Sequence, residues 1–317
     1  MSFSSKVKEE ISTQFGNARH CQIAELAGIL NICGEIPQNI PFFCVKMQTE
    51  HPATAKKYFT LLKNTFNIKC IISVKSGMKK RRVYTVTTLE PNQAEKLLRA
   101  TDLLAKNNGE RSLCRRIYSP VVSSTCCRRA FLRGTFLECG SVNDPEKNYH
   151  LEFVHTDQKF AEELRNLLQN MHLDAKLVKR KDQFVVYLKE GNHIVDLLNI
   201  MGAYVALMEL ENIRIVKEMR NDINRRCNFE TANLKKVVDA SVKQIEDITL
   251  IQNTIGLDQL PPPLEEVALA RLQYPDMNLK ELGTMLSSPL GKSGVNHRLK
   301  KICQIADTIR EDKGELQ

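Results

Sequence analysis

Apolar positions over residues 1–202 fall into two runs of the same form. Ile23–Cys33 and Cys126–Cys139 are rich enough in apolar residues, and long enough, for helices, and each stops at a glycine, Gly34 and Gly140. Each run then changes to strand-like character at Phe42–Gln48 and Tyr149–His155, and returns to helical spacing at 53–65 and 157–170. Two strand-like stretches around a polar turn follow, 67–75 with 82–88 and 174–179 with 183–188. Helical spacing closes the runs at about 91–105 and 191–200. The order α-β-α-β-β-α therefore occurs twice, and it predicts an α+β domain with antiparallel strands.

The remaining pattern is all-helical. Tyr204 to Asn253 has apolar residues at helical spacing and few breakers, with a helix end expected after Arg225 and Arg226, before Asn228. This stretch reads as a bridge between domains, and Pro261-Pro262-Pro263 ends it stiffly. Three short amphipathic segments follow. The first is Leu264–Gln273; the second is marked by Leu279, Leu282 and Leu286; the third by Val295, Leu299, Ile302, Ala306 and Ile309. The expected domains are 1–125, 126–202, a helical linker over 203–260, and 261–317.

The two runs share residues as well as pattern. Leu26-Ala27-Gly28 followed by Cys33-Gly34 reappears as Leu132, Gly134, Cys139 and Gly140, each shifted by 106, and Leu61-Leu62-Lys63-Asn64 matches Leu167-Leu168-Gln169-Asn170 at the same offset. A constant offset over this distance points to duplication of one unit.

Charge adds a partner. Of 317 residues 42% are hydrophobic and 26% charged, ordinary for a folded protein, and the net charge is +9. Residues 1–226 carry 35 Lys+Arg against 24 Asp+Glu, whereas 227–317 carry 11 against 13. Between Glu50 and Glu90 there is no acidic residue and there are nine basic ones, Lys56, Lys57, Lys63, Lys69, Lys75, Lys79, Lys80, Arg81 and Arg82. Uncompensated positive charge of this extent favours a polyanion, and double-stranded DNA is the expected partner. No apolar run reaches the ~18 residues needed to span a bilayer, and MSFSSKVKEE lacks the apolar core of a secretion signal. A cytoplasmic, nucleoid-associated protein with no membrane partner is expected. The ten cysteines show no C-x-x-C spacing, so most are read as small buried residues, with no metal and no cofactor expected.

Two surfaces are candidates for DNA. The hairpin turns carry Lys75, Lys79, Lys80, Arg81 and Arg82 in the first unit and Lys179, Arg180 and Lys181 in the second. A lone basic turn is commonly a solvated loop, but its repetition in both halves fits tips reaching along a duplex. The last three segments form a helix-turn-helix candidate, with a plain three-helix bundle as the alternative. Leu279 and Lys280 open its support helix. Lys292, Ser293, Asn296, His297, Lys300 and Lys301 cover one face of the following helix, with Arg298 at the margin. Asn suits adenine and Arg suits guanine in a major groove.

The frames Leu26-Ala27-Gly28-Ile29-Leu30-Asn31-Ile32-Cys33-Gly34 and Leu132-Arg133-Gly134-Thr135-Phe136-Leu137-Glu138-Cys139-Gly140 resemble degenerate copies of the LAGLIDADG helix of homing endonucleases. In that family two such helices pack side by side, and the eighth position supplies an Asp that binds a catalytic metal. Here that position holds Cys33 and Cys139, and a thiol is a poor ligand for Mg²⁺. Glu35 and Glu138 lie 103 apart, out of step with the repeat. The resemblance therefore implies a scaffold without catalytic residues; a redox or metal pair at Cys33 and Cys139 is the sharper alternative and packing the plainer one. Arg129 through Lys147 and Leu279 through Lys301 extend the likeness to the WhiA family of bacterial transcriptional regulators. That resemblance implies a duplicated LAGLIDADG-like domain followed by an all-α helix-turn-helix domain similar to the promoter-reading region 4 of sigma factors. It also implies roles in cell division, chromosome segregation and, in some relatives, sporulation, with transcription machinery or another regulator as further partners. An interaction scaffold, with the LAGLIDADG-like part on a protein and only the C-terminus on DNA, is the competing function.

Overall fold

Two helices packed back to back carry most of the first unit. The computed structural model describes residues 2–38, 42–76, 82–107, 110–117 and 120–314, and the chain divides into two units, Met1–Lys217 and Glu218–Gln317. In chain order the first repeat contains α1 (Phe3–Ser12), α2 (Arg19–Cys33), β1 (Gly34–Glu35), β2 (Lys46–Thr49), α3 (Pro52–Phe66), β3 (Cys70–Ser76), β4 (Arg82–Thr88), α4 (Pro91–Ala100), β5 (Leu104–Asn107) and β6 (Glu110–Leu113). The second contains α5 (Thr125–Cys139), β7 (Gly140–Val142), β8 (Leu151–His155), α6 (Gln158–Gln169), β9 (Lys176–Arg180), β10 (Gln183–Leu188) and α7 (Gly191–Met201). The sheets have the same antiparallel topology, β1-β2-β4-β3 and β7-β8-β10-β9. Val86 pairs with Met47 and Ile72, and Val186 with Phe153 and Leu177, so the central strands point matching residues at the helices.

The twin helices α2 and α5 explain the glycines inside the repeated frame. A Cβ on Gly28 would strike the carbonyl oxygen of Phe131, and one on Gly134 would strike that of Glu25. Residues 25 and 131 are themselves 106 apart, so the two contacts are reciprocal about the pseudo-two-fold axis. Here Gly is kept for close approach, although it costs a helix about 1 kcal/mol relative to Ala. Helix α2 is buried on nearly all sides: Leu26, Ile29 and Leu30 join the core of the first repeat, Ala24 and Ala27 that of the second. Periodicity is weak in such a segment because there is no polar face.

One charged group is sealed between the repeats. Glu25 is fully buried and meets Lys57 of α3 at 2.6 Å and Arg133 of α5 at 2.8 and 3.0 Å. The Lys57 ammonium also donates to the carbonyls of Ile11 and Gln14, each at 2.6 Å. The arrangement satisfies the buried charges, as burial requires.

Gly34 and Gly140 end their helices as expected, each in extended conformation, with φ −74° and −82°. Gly is needed at 140 because a Cβ would enter the Phe136 ring. The helix expected over 91–105 stops at Ala100: Asp102 adopts φ +54° and Leu103 N–H reaches back to the Leu98 carbonyl at 2.9 Å, a left-handed termination. The chain then enters the β5–β6 hairpin. The strand expected at Phe42–Gln48 is confined to Lys46–Thr49, and the polar opening segment folds as α1, with Phe3, Val7 and Ile11 buried.

The second unit begins within α8 (Tyr204–Thr254), a single helix of 51 residues. No helix ends before Asn228; Asn is only a mildly poor helix former, and the segment has neither Gly nor Pro. Gly256, at φ +86°, and Pro261 precede α9 (Pro262–Gln273), which is followed by α10 (Leu279–Thr284) and α11 (Lys292–Gly314). Ile248 and Ile251 of α8 share a core with Leu264, Val267, Leu282, Val295, Leu299, Ile302 and Ala306. Buried Asp247 pairs with Arg310. Among the described residues no helix is long and apolar enough to cross a membrane.

Candidate nucleic-acid interface

The connection from α10 to α11 is built to be tight. Asn278 caps α10 with a full capping box, accepting from Lys280 and Glu281 N–H at 3.0 Å while Glu281 accepts from Asn278 N–H at 3.3 Å. Buried Arg271 holds the preceding turn by donating to the Met277 carbonyl at 2.7 Å. The Ser287 N–H and hydroxyl both bond Glu266, and Leu290 N–H bonds the Gly283 carbonyl at 3.0 Å. A Cβ at 283 would hit the Leu290 carbonyl oxygen and come within 3.1 Å of Val295. Gly283→Ala is expected to lower the stability of this unit by about 1–3 kcal/mol; urea denaturation followed by far-ultraviolet dichroism measures it.

This packing leaves one side of α11 free. Lys292, Ser293, His297, Lys300 and Lys301 are exposed, and Gln304, not singled out from the sequence, continues their row. Asn296 is half-buried and, with Leu279, Lys280 and Lys292, borders an apolar groove of about 620 Å³ against Leu234, Val237 and Val238 of α8. Leu279 is packed partly into the core. Arg298 turns away from the row and donates to the Pro263 carbonyl at 3.3 Å.

The hairpin tips are less uniform than their composition suggests. Lys75 and Arg82 are exposed at the ends of β3 and β4, while Lys79, Lys80 and Arg81 lie outside the described residues. In the second repeat Lys179, Arg180 and Lys181 are exposed, with Lys181 at φ +53° in the turn. Arg180 is paired with Glu152 at 3.3 Å, and Lys179 stands 5.7 Å from the Phe184 ring centre. Exposed apolar residues Ile71, Ile72 and Val74 lie along β3.

At the carboxyl ends of the twin helices, cations stand beside the two thiols. The Arg115 guanidinium donates to the carbonyls of Asn31, Ile32 (3.2 Å) and Gly34 (2.8 Å), closing the end of α2 next to Cys33. Lys8 of α1 stands near Glu138 and Cys139 at the end of α5. Cys33 and Cys139 each donate to a carbonyl of their own helix, Ile29 at 3.2 Å and Thr135 at 3.4 Å. Burial pushes the Cys33 thiol well up and the Cys139 thiol up to about 12; it also raises Glu138, against the pull of Thr49 and Lys8. Glu35 is exposed and paired with Lys46 at 3.6 Å. Protonated thiols beside Arg115 and Lys8 do not suit a hard divalent metal. Among the described residues, the cluster that can hold a metal lies at the opposite helix ends: His20, Cys21, Cys126 and Cys127. The expectation that most cysteines are buried is not met: Cys21, Cys44 and Cys127 are buried, five are half-buried, and Cys126 and Cys227 are exposed.

A paired LAGLIDADG-like scaffold joined to a helix-turn-helix is the class this architecture defines. Family models agree segment by segment: the WhiA N-terminal LAGLIDADG-like domain matches 19–104, the WhiA LAGLIDADG-like domain 128–220, and the WhiA C-terminal HTH domain 223–306. A protein of Lachnoclostridium phytofermentans named probable cell division protein WhiA is 50% identical over 316 residues, covering 98% of this chain and 100% of that protein. One of the same name from Clostridium beijerinckii is 46% identical over 315 residues, with 99% and 100% covered. The crystal structure of full-length DUF199/WhiA from Thermatoga maritima superposes with a TM-score of 0.61 at 26% identity, over 97% of this chain and 99% of that one. The chain belongs to the WhiA family.

Proposed function

We propose that this chain is a sequence-specific DNA-binding transcriptional regulator acting in cell division and chromosome segregation, with the nuclease chemistry of its scaffold lost. The observation that carries the reading is the exposed polar and basic row on α11, presented behind a tight turn. The relatives' name, probable cell division protein WhiA, supports the cellular role. In this reading 261–317 reads base edges, 203–260 links, and 1–125 with 126–202 form the LAGLIDADG-like part, whose tips Lys75, Arg82, Lys179 and Lys181 add contacts to phosphate. The protein works at the nucleoid, in contact with transcription machinery or another regulator. Loss of cleavage is supported by Arg115 and Lys8 beside Cys33 and Cys139, which set positive charge where a metal would otherwise stand.

The test is to incubate the purified chain with supercoiled plasmid and Mg²⁺ or Mn²⁺. The expected outcome is a retarded but unbroken plasmid; metal-dependent cutting that a Glu138→Gln variant abolishes would contradict it. A second reading, in which the LAGLIDADG-like part binds a protein, is favoured by the Arg180–Glu152 pair and the exposed Ile71, Ile72 and Val74. Crosslinks from DNA to 279–301 alone would select it.

A further inference from the structure

We propose that His20, Cys21, Cys126 and Cys127 form a zinc site that clips together the amino-terminal ends of α2 and α5. The four side chains come from two adjacent pairs more than a hundred residues apart, and the pairs obey the internal repeat: 20 and 126, like 21 and 127, differ by 106. The duplication thus places both pairs at the first turn of their helices, facing each other across the pseudo-two-fold axis.

The ligand atoms all lie within 4.8 Å of one another. His20 Nδ1 stands 3.1 Å from Cys127 Sγ and 3.5 Å from Cys21 Sγ. Tetrahedral zinc, with Zn–S near 2.3 Å and Zn–N near 2.0–2.1 Å, separates its ligand atoms by about 3.5–3.8 Å, so small side-chain rotations complete the geometry. Three sulfurs and one imidazole are a structural donor set for zinc and a poor one for Mg²⁺. Around them the outer groups suit a thiolate site. The Ser124 hydroxyl lies 3.3 Å from Cys126 Sγ and 3.1 Å from Cys127 Sγ. Two helix amino termini, with their unpaired N–H groups and positive dipole ends, favour the negative charge of a three-thiolate centre. Cys21 and Cys127 are buried while His20 and Cys126 are exposed, and an open pocket bordered by His20, Ser124 and Cys127 gives a metal a path in.

Such a site stands at the end of the helix pair remote from Cys33 and Cys139, and its task is structural: it fastens the two repeats to each other. Nothing in it depends on the DNA-binding reading. Binding of zinc requires each thiol to release its proton to solvent, with no oxidation or reduction.

The test is metal analysis of the full chain purified under reducing conditions, paired with cobalt substitution. Elemental analysis is expected to give one zinc per chain. The Cys126→Ser/Cys127→Ser variant is expected to fall close to zero, while Cys303→Ser, in the other unit, keeps full content. Metal-stripped wild-type protein loaded with Co²⁺ should show the intense visible bands of tetrahedral cobalt with thiolate charge transfer. This readout stands even if the double variant does not fold. Wild-type protein that takes up neither zinc nor cobalt, an octahedral cobalt spectrum, or a disulfide joining Cys21 to Cys126 or Cys127 in freshly reduced protein would overturn the proposal.

Discussion

Replacing Glu25 with Ala is expected to cost the first unit about 3–5 kcal/mol of stability, the range for removing one partner of a buried ion pair. Among the described residues Glu25 is the acid that pairs with both Lys57 and Arg133, and it sits where solvent cannot replace it. The loss has two parts: the favourable interactions at 2.6 and 2.8 Å disappear, and the buried Lys57 ammonium and the half-buried Arg133 guanidinium are left without their shared carboxylate. Glu25→Gln retains hydrogen bonding but not charge, and should fall between parent and Ala. Glu25→Leu combined with Lys57→Met removes both charges of the closest pair and should be less harmful than Glu25→Ala alone. Urea denaturation of the three variants measures these differences. A Glu25→Ala protein within about 1 kcal/mol of the parent would show that water reaches the site and that the triad does not hold the repeats together.

The second large effect concerns DNA. Substituting Asn296 or His297 with Ala is expected to weaken binding to a preferred duplex by about 1–3 kcal/mol for each base edge no longer read, roughly 5- to 150-fold, with little change on random DNA. Lys300→Ala with Lys301→Ala should instead weaken binding to all duplexes alike and reduce the slope of log affinity against log salt by about one for each phosphate left unneutralised. Arg298→Ala should do neither, because that guanidinium is turned to the Pro263 carbonyl. Titrations with fluorescent duplexes at several salt concentrations separate the three patterns. If Asn296→Ala and Lys300→Ala behaved identically on every sequence, α11 would be an electrostatic platform and not a reader of bases.

The duplication is legible in the sequence because its strongest constraint is steric. Gly28 and Gly134 each admit a backbone oxygen of the opposite helix, and no other residue can stand there, so the frame survives in both copies. The helix-turn-helix is legible for a different reason: α11 is amphipathic, with Val295, Leu299, Ile302 and Ala306 buried under an exposed basic row. Features resting on distant pairing are not legible. Arg115 acts through backbone carbonyls of Asn31, Ile32 and Gly34, which leave no mark on composition. The β5–β6 hairpin hides behind Asp102, which takes a left-handed conformation usually associated with Gly or Asn. Val7 and Ile11 recur at helical spacing from Phe3, but the lysines and glutamates between them mask α1. The His20–Cys127 cluster has no C-x-x-C spacing to announce it, although the offset of 106 already relates its halves.

In the proposed function, thiols and neighbouring cations stand where a nuclease of this scaffold would hold its metals, and recognition falls to the last helix. The most direct measurement is selection of duplexes from a random pool by the intact chain in the presence of Mg²⁺, with the Asn296→Ala/His297→Ala variant in parallel. The parent is expected to yield a reproducible motif with every recovered duplex uncut, and the variant to lose that motif. The same motif enriched by the variant, or duplexes recovered as cleaved halves, would contradict the proposed function.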